Sequence, residues 1–227
     1  YSATYTVTEG DLDIADGGNV TTDLAFTDAA GNTGANITSV TLTSESIDAN
    51  SPTITSVSVA DGVHKVGASV AVIITASNNE TGLTLSSTTF NGQTLGTITD
   101  NLDGTYSAIY TVAEGDPDIA DLGSVTTDLA FTDVAGNTGT NTTSVTLAGE
   151  SIDANSPTIA NVTIADTLMN VGDIVTVNIS ASEAGLTLVS GSVNGIAIDG
   201  FSDDGMWNRR NHRAPLHRPT TSRHKPN

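Results

Sequence analysis

The sequence contains no cysteine, so no disulfide can staple it and redox chemistry does not indicate a compartment. Basic residues are almost missing from its body. All 26 acidic residues precede residue 208, and Lys65 alone opposes them there. Nucleic acid is therefore excluded as a partner, because its phosphates would be repelled. A surface this acidic favours cations or solubility in a salty medium. No run of about 18 apolar residues is present, so no membrane-spanning helix is encoded. No charged-then-apolar leader pattern follows Tyr1. Aromatic residues make up only 4% of the chain, and they fall at equivalent places in a repeat.

That repeat dominates the sequence. The segment starting YSATYTVTEGDLDIAD at Tyr1 returns as YSAIYTVAEGDPDIAD at Tyr106, with an offset of 105 residues and 47 of 61 aligned positions identical. A period this long is a whole small domain and not a solenoid unit of roughly 20–50 residues. The chain starts inside a repeat, so a fragment of a longer protein is expected.

Local patterning is that of β-strands. Val70, Val72 and Ile74 alternate with smaller or polar residues, as do Tyr106, Ala108, Tyr110 and Val112, and Val125, Thr127, Leu129 and Phe131. Such rows of β-branched and aromatic residues suit half-buried strands. No stretch carries the i, i+3, i+4 spacing of an amphipathic helix. Asn91-Gly92 and Asp103-Gly104 are turn signals. One period yields seven strands: A near 53–59, B 69–76, C 84–90, D 93–99, E 105–112, F 125–133 and G 140–147. Seven short strands in roughly 100 residues predict an all-β fold of immunoglobulin-like β-sandwiches.

The domain frame follows. Residues 1–49 are the C-terminal half of one sandwich, 50–153 a complete one, and 154–207 the N-terminal half of a third. Two incomplete sandwiches should expose Tyr1, Tyr5, Phe26 and Phe201. Trp207 aligns with Tyr106, but residues 208–227, NRRNHRAPLHRPTTSRHKPN, match nothing in the repeat. Disorder, or a shifted reading frame, is expected of this basic tail.

The segments FTDAAGNTG (26–34), FTDVAGNTG (131–139), DGTYSAIYTV (103–112) and VGDIVTV (171–177) resemble bacterial Ig-like tandem repeats of large RTX-type or cadherin-like surface adhesins. The resemblance covers residues 1–207. It implies an extracellular or cell-surface location, and a role as extender modules whose partners are neighbouring repeats. It also implies that calcium binds at domain junctions.

The acids fit that implication. Alternating strand directions gather loops at two poles of each sandwich. One junction would collect Glu9, Asp11, Asp13, Asp16, Glu45, Asp48, Glu80, Asp103 and Asp133. The next would collect Asp61, Glu114, Asp116, Asp118, Asp121, Glu150, Asp153 and Glu183. Calcium takes about six to eight oxygen ligands in flexible geometry. Carboxylates from two domains and a linker are thus candidate ligands. The Asp116, Asp118, Asp121 spacing lacks the Gly and Glu of an EF-hand. Ordinary acidic turns are the competing explanation, since Asp and Gly favour turns for their own reasons.

No enzyme is expected. His64 is the only histidine before the tail, and no general-base partner, nucleophile elbow or phosphate-binding loop accompanies it. The alternative to a spacer is a carbohydrate- or ligand-binding Ig-like module. It predicts exposed aromatic platforms or divergent loops. Instead the aromatics lie on inward rows and the acidic loops barely change between copies.

Overall fold

The computed structural model describes residues 1–165 and 167–204; the basic tail and Trp207 lie outside them. In chain order the strands are β1 (Asn19–Leu24), β2 (Ile37–Thr41), β3 (Ile54–Val59), β4 (Gly62–Lys65), β5 (Ser69–Ala76), β6 (Thr84–Phe90), β7 (Gln93–Thr94) and β8 (Thr99–Asp100). They continue with β9 (Thr105–Thr111), β10 (Ser124–Thr132), β11 (Thr142–Thr146), β12 (Glu150–Asp153), β13 (Ile159–Ile164), β14 (Val177–Ala181), β15 (Ser192–Val193) and β16 (Ile196–Ala197). Among the described residues there is no α-helix, and no helix is long and apolar enough to cross a membrane.

Two four-stranded sheets, ordered β3-β5-β9-β8 and β11-β10-β6-β7, face each other and form one complete sandwich. The inward rows predicted from alternation line its core. Val72, Ile74, Phe90, Tyr106, Val125, Leu129 and Phe131 are wholly buried, and each such side chain stabilises the fold by about 1.5–3 kcal/mol. Two aromatic pairs bind the sheets together: Tyr106 with Phe131, ring centroids 4.6 Å apart, and Phe90 with Tyr110 at 5.3 Å.

Strand D departs from its predicted form. Residues 93–94 continue the β6 hairpin through the Asn91-Gly92 turn, whereas residues 99–100 pair with β9 in the opposite sheet. The chain crosses between sheets around Gly96, whose amide donates to the Ile109 carbonyl. Gly104 is required where the next turn packs: its φ is +84°, and a Cβ there would lie 2.3 Å from Asn79 Cα.

The residues fall into two compact units, Tyr1–Asn155 and a second beginning at Ser156. Within the first unit, residues 1–49 repeat the β10–β11 ribbon as β1–β2, down to the same register irregularity (Thr21/Leu24 and Thr126/Leu129). Residues 1–8 are not a strand, although YSATYTV nearly duplicates β9. In β9 the backbone is paired on both sides, by β5 and β8. Among the described residues, 1–8 have neither partner, so their strand propensity goes unrealised. The second unit holds the β13–β14 pair and a β15–β16 hairpin turning at Asn194-Gly195. Its β15 has two residues where β6 has seven, and among the described residues it pairs with β16 alone.

Candidate functional site

The residues bearing on function gather where one repeat hands over to the next. After β11 the chain is not a free tether. Residues 150–153 form β12, which pairs in parallel with β4, Glu150 opposite Gly62 and Asp153 opposite Lys65. The strands predicted near 53–59 and at 69–76 leave residues 60–68 as a connection between them. It contains this strand, and the His64 imidazole N–H is held 2.8 Å from the Ala60 carbonyl. On its other side the linker is bonded to the corner after β9. Ile152 and Ile119 exchange backbone hydrogen bonds of 2.8 and 2.9 Å, and the Gly115 amide donates to the Ala154 carbonyl at 2.8 Å.

The acids of this corner are its fasteners. Asp118 accepts from the Ala154 amide and the Asn155 side chain, both at 2.8 Å. Asp121 accepts from the Gly149 amide at 2.8 Å. Asp116 points inward, only 6% exposed, and accepts from the Tyr110 hydroxyl at 2.7 Å and the Ala113 amide at 2.9 Å. The Gln93 side-chain amide donates to its other oxygen at 2.6 Å. Burial pushes the Asp116 carboxyl up, but the Ala113, Tyr110 and Gln93 donors together hold it below its ordinary value. Burial, reinforced by Asp116 and opposed by the Asn91 amide, pushes the Tyr110 phenol up to about 12.

The first repeat is fastened in the same way. Asp13 accepts from the Ala49 amide at 2.8 Å and the Asn50 side chain at 2.9 Å, and Asp16 from the Ser44 amide at 2.6 Å. Asp11 accepts from the Tyr5 hydroxyl and from the Thr8 amide, and the Tyr5 bond is the chief reason its carboxyl lies low. Glu9 reaches further, to the amide and hydroxyl of Ser51 at 3.1 and 2.7 Å. Residues 45–51 are thus bound to the corner that precedes them.

The same linker also touches the sandwich that follows. The Asn137 side chain donates to the Asp48 carbonyl at 3.2 Å. Asn137 is itself held by Asp133, which accepts from the Gly136 and Asn137 amides at 2.8 and 2.9 Å. Gly139 packs so closely on Pro52 that a Cβ would lie 1.8 Å from the proline carbonyl oxygen. Here Glu80 lies within the field of two other acids. Burial, then Asp133, then Asp48 push the Glu80 carboxyl up from its usual range.

The other candidate ligands are dispersed. Asp103 caps its own turn, accepting from Thr105 N–H and O–H, which lower its pKa. Glu45 accepts from the Thr43 amide at 2.9 Å. Asp153 and Asp61 lie on or beside the β4–β12 pair, with an Asp61 oxygen 3.2 Å from where a Gly149 Cβ would stand. Glu150 is buried, and its Oε2 has no hydrogen-bond partner among the described residues. Glu114 lies in the corner turn before Asp116, and Glu183 follows β14 in the second unit. Among the described residues no group of three or more His, Cys, Asp or Glu is placed to hold one metal ion. The physical reason is that most of these carboxylates direct their lone pairs at backbone N–H groups. Sequence reasoning missed Tyr110, Gln93 and Asn137, the side chains that make the corners polar and closed. The signal for Tyr110 and Asn137 was present in the repeat of Tyr5 with Asp11 and of Asn32 with Asp28.

Comparison with known proteins adds one relation. No curated protein and no solved structure matches the chain. Residues 48–148, from the linker through the end of the intact sandwich, match the family described as bacterial Ig-like domain.

Proposed function

We propose that the chain is an extender segment of a large secreted or surface-anchored bacterial adhesin, serving to hold other parts of that protein at a set distance. The observation that carries this reading is the folded linker. Residues 45–52 are bonded to the corner before them and to the Asn137 loop after them, so a hinge there would break several hydrogen bonds at once. Spin labels at Ala35→Cys and Thr97→Cys should give one narrow distance distribution. A broad distribution would defeat the extender reading. Specific capture of a glycan by the chain on a glycan array would favour the ligand-binding alternative.

Calcium at the junction is the second part of the proposal. Its support is electrostatic: Asp133 and Asp48 add to the charge cost of Glu80, and the one lysine or arginine before residue 208, Lys65, lies on β4 opposite Asp153. A divalent cation there would relieve that cost, after side chains now bonded to the backbone had turned toward it. The melting temperature should rise in millimolar calcium relative to EDTA. An unchanged value ends the calcium part and leaves the extender part standing.

A further inference from the structure

The hairpin turn between β6 and β7 is held from within the sandwich by one side chain. Asn91 and Gly92 both take left-handed backbone angles, with φ of +49° and +80°. A two-residue hairpin turn needs such angles, and Asn-Gly adopts them readily. Yet Asn91 is only 1% exposed. Its backbone amide donates to the Thr126 carbonyl at 2.9 Å, which ties the turn to β10. Its side-chain amide donates to the Tyr110 hydroxyl at 3.1 Å and to the Pro117 carbonyl at 3.0 Å, which ties it to β9 and the corner beyond. Both protons of Nδ2 are thus used, while Oδ1 has no partner among the described residues. The amide cannot be turned over, because oxygen would then face the Pro117 carbonyl oxygen. Nor can Tyr110 supply a missing proton: it has one, and gives it to Asp116 at 2.7 Å.

We propose that Asn91-Gly92 is a self-modification site, which the closed sandwich protects and whose modification bars the sandwich from closing again. The reaction needs only water. The Gly92 nitrogen gives up its proton and bonds to Asn91 Cγ, the Cγ–Nδ2 bond breaks, and Nδ2 departs as ammonia. Water then opens the cyclic imide at either carbonyl, leaving aspartate or, with the backbone rerouted through the side chain, isoaspartate. Gly92 is exposed and has no side chain to shield its nitrogen, so the obstacle lies in Asn91. In the closed sandwich its amide cannot swing toward Gly92 without releasing both Tyr110 and Pro117. Aspartate would put an anionic oxygen where Nδ2 stood. That oxygen would face the Pro117 carbonyl, and a Tyr110 hydroxyl already committed to the Asp116 carboxylate. Isoaspartate would lengthen the turn and shift Phe90 and Thr89 out of register with Gln93 and Thr94. Either product makes an opening permanent.

The test incubates the full chain at mildly alkaline pH, with and without concentrated urea, and follows the peptide bearing residue 91 by mass spectrometry. Conversion of Asn91 to the acid should run at least about 100-fold slower without urea, because strands of a closed core open rarely. Equal rates overturn the protection. Urea is then removed from a partly converted sample, and brief thermolysin digestion destroys chains whose sandwich has not closed. Residue 91 of the resistant core should be asparagine almost throughout, whatever the conversion in the sample as a whole. A core as converted as the whole sample overturns the latch. Asn91→Gly keeps a turn-forming residue and has no ammonia to lose. Its refolded yield should stay constant with time spent in urea while that of the wild type falls; a parallel fall in both would remove the assignment to residue 91. If the loss of two hydrogen bonds keeps even fresh Asn91→Gly from closing, the comparison of core with whole sample, made on the wild type, decides alone.

Discussion

Replacing Asp116 with alanine isolates the contribution of one corner carboxylate. In the intact sandwich it strands one buried donor, the Tyr110 hydroxyl, whereas the amide of the exposed Ala113 and the exposed Gln93 side chain can return to water. A stranded buried donor costs about 1–3 kcal/mol, so Asp116→Ala should cost about 1–3 kcal/mol. The first repeat contains the matched control. Asp11 holds Tyr5 and Thr8 in the same way, but both donors are exposed, so Asp11→Ala should cost little. Urea unfolding followed by hydrogen exchange in β9 and β10 reads the difference. With a slope of about 1–3 kcal/mol per molar, the Asp116 variant should lose on the order of 1 M of midpoint and the Asp11 variant almost none. Acid gives a second reading. The folded Asp116 carboxyl binds its proton less tightly than the unfolded one. Its contribution is therefore fully present above the unfolded value near about 3.9, and is lost as pH falls through the folded value. Asp116→Asn should abolish that part of the acid sensitivity. Equal midpoint shifts for the two alanine variants, or a loss below about 1 kcal/mol for Asp116→Ala, would refute the account of the corner as a buried fastening.

Two further substitutions probe the junction. Gly139→Ala forces a Cβ against the Pro52 carbonyl and should cost about 1–3 kcal/mol, measured by thermal melting, while Gly34→Ala, whose Cβ meets only the Phe26 carbonyl at 3.6 Å, should be neutral. Glu80 has a raised pKa, so its ionisation weakens the junction and stability should fall as pH rises through that value. Glu80→Gln should remove this slope and raise the melting temperature at neutral pH; a lowered one would show that the charge is needed.

The sandwich was readable because its strands alternate strictly and because the repeat prints each of them nearly twice. Val125, Thr127, Leu129 and Phe131 could only face inward together. The split of strand D was not readable, since QTLGTIT holds no signal for changing sheets beyond Gly96. Nor was the β4–β12 pairing, in which two short segments separated by most of a domain become neighbours. The acids were legible as a population but not in their roles. Asp13 finds its amide donor 36 residues away and Glu9 finds Ser51 at 42, and nothing local distinguishes such an acceptor from a cation ligand. The shared contact of Tyr5 with Asp11 and Tyr110 with Asp116 shows what alignment of repeats can recover: a polar pair that recurs at fixed spacing is bonded in both copies.

The parallel pairing of β12 with β4 has a mechanical consequence. Tension along the chain pulls β4 by its N-terminal end and β12 by its C-terminal end. Because the strands are parallel, the two pulls run in opposite directions along them. The hydrogen bonds lie across the strands, so they are sheared together and cannot be peeled one after another. A stretched array of such repeats would resist until that whole ladder failed, and would then lengthen abruptly.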